Sequence, residues 1–195
     1  MSVWSARGVW CLVTLGFVGC GTAEVPATGP WQPIPGARCN ARTRAFPALD
    51  SPHLDADAGE PAYNSNPPSS GPHEGRWARW GGHTGAIPRR NYVHNLEHGG
   101  VVLAWRCADG SCPTARDVLA ALGTFPNDRA CDLPGVPARP RVVATPDPLL
   151  ESPVAAAAWG RVYQADCVDA ESLRGFYVSA LAHAPEDTCA EGSVP

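Results

Sequence analysis

Residues 91–107 constrain the fold more strongly than any other part of the chain. They open with a polar cluster that holds His94, Glu97 and His98 within five residues. A glycine pair then leads into five consecutive apolar residues at 101–105, VVLAW, and such a run predicts a buried β-strand. Because strand packing fixes the adjoining backbone, polar side chains at this point are held in defined positions. We therefore expect the cluster to be the functional centre and the rest of the chain to support it.

The N-terminus predicts export. Residues 1–19 combine one arginine with an apolar run that is too short to cross a bilayer permanently, as in a cleaved signal peptide. The residues before Cys20 are similar to the lipobox of bacterial lipoproteins, whose cysteine is lipidated after cleavage. The alternative is an ordinary signal peptide with a coincidental cysteine. We predict a cell-envelope lipoprotein on the periplasmic or extracellular face, attached to the membrane only through a lipid on Cys20.

Six further cysteines predict disulfide bonds, since paired cysteines are usual in exported proteins. Cys107 and Cys112 bracket a short turn that a bridge could close, and a bridge from Cys39 to Cys189 would fasten the two ends of the mature chain. The last two cysteines would then pair with each other. Zinc ligation is disfavoured because no C-x-x-C pair is present. The six are Cys39, Cys107, Cys112, Cys131, Cys167 and Cys189.

The charge pattern excludes one class of partner. The formal net charge is -4, and every basic side chain is arginine rather than lysine. A mildly acidic chain without a basic stripe does not favour nucleic-acid binding. No apolar run after the signal peptide approaches membrane-spanning length, so no second membrane attachment is predicted.

The remaining sequence predicts a tether at residues 20–45 and one globular domain at 46–190. The tether is rich in Pro, Gly, Ala and Thr and lacks hydrophobic periodicity. At the start of the domain, residues 63–73 read YNSNPPSSGPH and must form a loop, because proline lacks an amide donor and fixes its φ angle. A Pro/Gly-rich loop region therefore precedes the core.

Downstream of the loop, the periodicity predicts five elements in the order strand, helix, strand, strand, helix. This order predicts an α+β (α/β two-layer) domain, with a small mixed β-sheet and helices on one face. The predicted elements are the strand at 101–105, a helix at 113–124, a strand at 141–145, a strand from about 156 to 165 and a helix at 169–184.

Three blocks of the sequence resemble the signature blocks of a bacterial family named domain of unknown function 3105. The blocks are NPPSSGPH at 66–73, YVHNLEHGGVVLAW at 92–105 and VVATPDPLLESPVAAAAWGR at 142–161. The likeness covers roughly residues 49–180, most of the mature domain. The resemblance implies an exported or membrane-anchored α/β domain with a His-rich centre, and it implies no reaction. In the family pattern, histidines lie near His53, His73, His94 and His98, and an acidic residue lies near Glu97.

The spacing of His94 and His98 suits metal binding, because two imidazoles four residues apart can face the same side of a helical turn. Together with Glu97 they match H-x-x-E-H, in which two histidines hold zinc and the glutamate activates water. The glycines and the strand that follow leave room for one helical turn at most, which argues against a direct transfer of that mechanism. A third ligand would come from His73 or His53.

Three hypotheses remain open from the residues. The first is binding of zinc or copper by the histidines, supported by Glu97 from outside the ligand set. The second is a metal-dependent hydrolase in which Glu97 is the general base and a catalytic residue. The third is a non-catalytic envelope scaffold, in which the histidines fasten the Pro-rich loop to the sheet. The candidate metal ligands are His53, His73, His94 and His98.

Overall fold

The computed structural model describes residues 29–55, 57–107, 113–132, 134–135 and 137–194. The predicted signal peptide, the predicted lipidation site Cys20 and one predicted disulfide cysteine, Cys112, lie outside these residues. A search of the described helices finds none with the length and apolar character needed to span a membrane.

Two β-sheets and three α-helices make up the described fold. Seven strands form one mixed sheet in the order β1-β2-β9-β8-β6-β7-β5, and β3 pairs with β4 in a separate parallel sheet. The elements are β1 (Gln32–Pro33), β2 (Arg42–Ala45), β3 (His53–Leu54), β4 (His73–Glu74), β5 (Gly81–Gly82), α1 (Arg89–Glu97), β6 (Val101–Trp105), α2 (Pro113–Leu122), β7 (Val142–Pro146), β8 (Val154–Ala158), β9 (Arg161–Ala165) and α3 (Ala170–Ala180).

The central strand β6 is buried on both faces, as its continuous apolar run predicts. It pairs in parallel with β7 and antiparallel with β8. Its odd-numbered side chains pack in a core with α2 and α3, and its even-numbered side chains pack in a second core with α1. The α+β prediction is therefore confirmed, and the two predicted helices share one face of the mixed sheet. The strand predicted from about 156 to 165 is a hairpin, β8 and β9, turned at Gly160 with φ +67°.

Helix α1 was not predicted, and it covers the opposite face of the sheet. The prediction of at most one helical turn around His94 was wrong, because the helix is built upstream of the polar cluster and begins after Pro88. It ends in a Schellman motif: Gly99 has φ +82° and donates its amide to the Leu96 carbonyl, and the Gly100 amide donates to Asn95. The glycine pair is thus the helix stop that turns the chain into β6.

Close packing at Gly100 leads to a stability prediction. A Cβ atom at this position would lie 2.6 Å from Cη2 of the Trp80 ring and 3.0 Å from the Asn95 carbonyl oxygen. We expect Gly100→Ala to lower the free energy of unfolding by about 1–3 kcal/mol, because the buried ring must move. Urea denaturation measures this change. Gly175→Ala in α3 is the matched control, since no atom lies within 4 Å of its added Cβ; equal stability of the two variants would contradict the prediction.

The C-terminal part of the predicted tether belongs to the sheet. Strand β2 pairs antiparallel with β9, and Cys39 is bonded to Cys167 just beyond β9. The predicted tether at 20–45 therefore does not extend to residue 45. Sequence periodicity missed β1 and β2 because both are short and their side chains are exposed or half-buried.

The C-terminal segment returns to the end of α1, and this path corrects the predicted disulfide pairing. Cys189 is bonded to Cys131, so the predicted bridges Cys39–Cys189 and Cys131–Cys167 are wrong. Cys39 lies beside the end of β9, whereas the segment that carries Cys189 lies beside the end of α1. Cys107 is also disulfide-bonded.

A buried guanidinium holds this C-terminal segment in place. Arg141 is fully buried, with Nε 2.6 Å from Asp128 Oδ2 and one terminal nitrogen 2.7 Å from Asp187 Oδ1. Its other terminal nitrogen donates to the carbonyl oxygens of His98 and Thr188. The Arg141 side chain therefore connects the sheet, the C-terminal segment and the C-terminal end of α1.

Candidate metal centre

The small sheet and α1 bring four potential ligands together. Strands β3 and β4 place His53 opposite His73, and β4 packs beside α1. One ligand atom from each of His53, His73, His94 and Glu97 lies within 4.8 Å of all the others. This group of described residues could hold a metal ion.

His73 presents a free nitrogen lone pair to this group. Its ring is fully buried, and Nδ1 lies 2.9 Å from the carbonyl oxygen of Gly71. Because a carbonyl oxygen only accepts, Nδ1 must donate, and the neutral ring therefore carries its lone pair on Nε2. Nε2 lies 3.0 Å from Glu97 Oε2 but has no aligned hydrogen bond. In the neutral ring two lone pairs would face each other here, an arrangement that a bound cation would stabilise, whereas a proton on Nε2 would make the contact an ion pair.

His94 is oriented in the same way. Its Nδ1 donates to the carbonyl oxygen of Glu74 at 2.6 Å, so the neutral ring again has its lone pair on Nε2. A hydrogen bond from the distal ring nitrogen to a backbone carbonyl is typical of metal-ligating histidines, because it fixes both the tautomer and the ring orientation. Both histidines therefore have the hydrogen bond to a backbone carbonyl that is expected of metal ligands.

Glu97 lies inside the group, where the sequence placed it only as a supporting residue or a general base. Its Oε1 accepts a hydrogen bond from Ser51 Oγ at 2.8 Å, and its Oε2 is the oxygen beside His73. Oε1 is therefore hydrogen-bonded, whereas Oε2 faces a ring nitrogen inside the group. No sequence motif pointed to Ser51, since a lone serine in a Pro-rich region carries no specific signal.

His98, a predicted ligand, is not among the four grouped residues. Its Nε2 lies 3.0 Å from His94 Nε2 and 3.1 Å from Glu186 Oε2. Its Nδ1 is buried without a hydrogen-bond partner. The helical setting required by H-x-x-E-H is present after all, but the donors grouped together are His94 and Glu97, three residues apart, rather than the two histidines.

The Trp77 ring packs against two imidazoles of the polar cluster. The Trp77 ring centroid lies 4.8 Å from that of His94 and 4.6 Å from that of His98. Its Nε1 donates to the Ala190 carbonyl, which links residue 77 to the C-terminal segment. Trp77 therefore both holds the C-terminal segment and limits water access to the imidazoles.

The segment just after the Pro-rich loop, residues 74–78, is attached to α1 mainly by side chains other than histidine. Asn95 exchanges two hydrogen bonds with the backbone of Ala78, and Asn91 donates to the carbonyl oxygen of Arg76. Arg90 forms an ion pair with Glu74 at 2.7 Å. These contacts hold the chain beside His73 without using a histidine side chain, which weakens the hypothesis that the histidines serve only as fasteners.

Burial keeps two of the imidazoles neutral. Desolvation lowers the pKa of His94 below its ordinary value and lowers the pKa of His98 to about 4, and neighbouring imidazoles add to both shifts. The nearby Glu97 carboxylate opposes these shifts without cancelling them. A neutral imidazole is the form that binds metals. The Nε2 lone pair of neutral His94 accepts a hydrogen bond from His98 Nε2, which a bound metal would displace.

These shifts predict acid sensitivity of the metal-free protein. Below pH 6.5 the unfolded chain protonates its histidines, whereas folded His98 does so only near pH 4. The folded state then binds fewer protons, so the free energy of unfolding should fall as the pH is lowered from 6.5 towards 4. Urea midpoints measured with a chelator present at several pH values test this. His98→Gln should give a shallower decline, whereas the exposed control His183→Gln should not; equal slopes for both would contradict the prediction.

Comparison with known proteins gives one match. A family model described as "Protein of unknown function (DUF3105)" matches residues 55–192. No curated protein and no solved structure matches the chain. His73, His94 and Glu97 fall inside the matched range, and His53 lies two residues before it.

Proposed function

Since this chain belongs to the DUF3105 family of proteins of unknown function, its activity has to be inferred from the site, and we propose that it binds one transition metal ion, zinc or copper. The observation that carries the proposal is the buried contact between His73 Nε2 and Glu97 Oε2, 3.0 Å apart without an aligned hydrogen bond. His94 and His53 complete the proposed donor set. Three imidazoles and one carboxylate can surround a metal tetrahedrally.

The donor set favours zinc or copper(II) over copper(I). Imidazole nitrogen suits both metals, whereas copper(I) prefers thiolate or thioether sulfur. Every described cysteine is in a disulfide bond. The single methionine of the chain is Met1, in the predicted signal peptide. No soft sulfur ligand is therefore expected at the site.

The engaged carboxylate favours metal binding over metal-dependent hydrolysis. A general base needs an oxygen free to take a proton from metal-bound water. Glu97 Oε1 accepts a hydrogen bond from Ser51, and Oε2 faces the imidazole of His73 inside the donor set, where a bound metal would take it as a ligand. We therefore assign Glu97 a ligand role, and His98 a role outside the ligand set, where it contacts His94 and Glu186.

Disulfide bonds indicate a domain outside the cytoplasm, since reducing conditions there disfavour them. Together with the N-terminal sequence, they support an exported protein attached to the envelope through a lipid on Cys20. Metal would then be acquired after export, or during it, in the compartment where the disulfides form.

Metal content is the direct test. The domain is produced in a bacterial periplasm without its lipid, purified without chelator and measured by elemental mass spectrometry. We expect about one equivalent of zinc or copper per chain. Adding the same metal to chelator-treated protein should raise the free energy of unfolding, by about 2.7 kcal/mol at a free concentration about 100-fold above Kd. Absence of metal, and no stabilisation after incubation with either ion, would exclude the proposal and favour the scaffold hypothesis.

A further inference from the structure

The four proposed ligands are unequally buried. His73 is 0%, His94 is 4% and Glu97 is 8% exposed. His53 is exposed, at the surface of the small sheet. Three donors therefore face the protein interior, and the fourth reaches the metal position from solvent.

The three buried ligands also have hydrogen bonds that hold them in place, whereas the exposed ligand has none in the described part of the chain. His73 and His94 each donate Nδ1–H to a backbone carbonyl, and Glu97 accepts from Ser51. Within the described part of the chain, the His53 ring has only ring contacts with His73 and His94, with centroids 5.1 Å from each. A ligand without such outer contacts keeps more rotational freedom, so it binds less firmly.

The backbone beneath His53 is also lightly held. Strand β3 contains two residues and pairs only with β4. The neighbouring residue Gly75 is exposed and has no side chain. A Cβ atom added at Gly75 would lie 3.7 Å from Nδ1 of His53. By contrast, His94 and Glu97 project from α1, which packs against β6. His53 can therefore turn away without disturbing the core.

Charge specifies what could take its place. A divalent ion with one carboxylate and neutral imidazoles carries a net charge of about +1 by simple counting. Replacing a neutral imidazole by a small anion makes the centre neutral, which a buried site favours because uncompensated charge is costly there.

We propose that His53 is an exchangeable ligand of the metal, and that the coordination position it covers accepts a small anion with a donor oxygen or nitrogen, such as a carboxylate. The inference rests on the proposed metal site and adds a ligand class to it. In the exchange, the bond from the His53 nitrogen to the metal breaks and a bond from the anion forms, without electron transfer. His73, His94 and Glu97 remain bound throughout.

Cobalt(II) and azide are suitable probes. Cobalt(II) is added to chelator-treated protein, and its visible absorption is followed while azide is titrated into the wild type and His53→Ala. His183→Ala, which removes an exposed histidine elsewhere, is the matched control. We expect His53→Ala to retain cobalt with affinity lowered by about tenfold, and to bind azide about tenfold more tightly than the wild type because no side chain competes, each tenfold change being about 1.4 kcal/mol. The control should match the wild type in both.

The outcomes separate this inference from the metal site itself. Cobalt binding to the wild type, with azide affinity unchanged by His53→Ala or with no azide binding in either, would overturn the exchange while leaving the metal site intact. Loss of cobalt from His53→Ala as complete as from His94→Ala would also overturn it, because His53 would then be a firm ligand. A wild type that binds neither cobalt nor zinc would overturn the metal site and the exchange together.

Discussion

Replacing His94 by alanine is expected to lower the affinity for zinc(II) by about 100-fold or more, since each of four ligands carries roughly a quarter of a binding free energy of about 10–16 kcal/mol. The Nε2 lone pair of His94 is aimed by the bond from Nδ1 to the Glu74 carbonyl. His98→Ala, one helical turn away, should lower the affinity much less, because His98 lies outside the four-donor group. Competition with a chromophoric chelator measures both constants.

The two variants are well matched, because His94 and His98 lie four residues apart at the same end of α1. Near-ultraviolet circular dichroism shows whether each variant keeps the aromatic packing around Trp77. Equal losses of affinity in folded His94→Ala and His98→Ala would show that both are ligands, as the spacing in the sequence first suggested. Equal retention would exclude His94 as a ligand.

Replacing Arg141 by methionine should lower the free energy of unfolding by about 3–5 kcal/mol, the usual cost of removing one partner from a buried ion pair. The substitution leaves the Asp128 carboxylate buried without its cation. It also removes the donor to the carbonyl oxygens of His98 and Thr188. Urea denaturation with the disulfides intact measures the effect.

Two further variants identify the cause. Arg116→Met removes an arginine whose side chain is 83% exposed, so it should change stability by no more than about 0.5 kcal/mol. Adding Asp128→Asn to Arg141→Met should recover part of the loss, because the amide removes the uncompensated charge and can still accept the hydrogen bond from the Ala130 amide. No recovery in the double variant would mean that the carbonyl contacts, rather than the charge, carry the stability.

The sequence predicted those parts of the fold that bury apolar side chains at regular spacing. Strands β6 and β7, the β8–β9 region and helices α2 and α3 follow from such patterns. Helix α1 does not, because its buried residues include Asn91, His94, Asn95 and Glu97, which bond to a polar loop rather than to an apolar surface. Its apolar stripe is limited to Tyr92, Val93 and Leu96, which is too short to stand out among the buried polar residues.

The candidate site was predictable in its composition and not in its geometry. The acceptors that orient His73 and His94 are backbone carbonyls, which have no sequence signal. Successive residues of a helix point about 100° apart, so the rotation of α1 about its own axis decides whether Glu97 or His98 faces the other donors. That rotation is set by how α1 packs against the loop, which only the folded structure contains.

The distribution of cysteines would make the folded state of the small sheet depend on the proposed metal. No cysteine occurs between residues 53 and 97, so the described disulfides, Cys39–Cys167 and Cys131–Cys189, lie entirely outside the segment that contains the proposed ligands. A metal joining His53 and His73 to α1 would be a crosslink for this segment, closing a loop as a disulfide does elsewhere. Unlike a disulfide, it opens without a reductant. Release of metal should therefore increase hydrogen exchange and protease cleavage around the small sheet, while the disulfide-linked remainder of the domain stays closed.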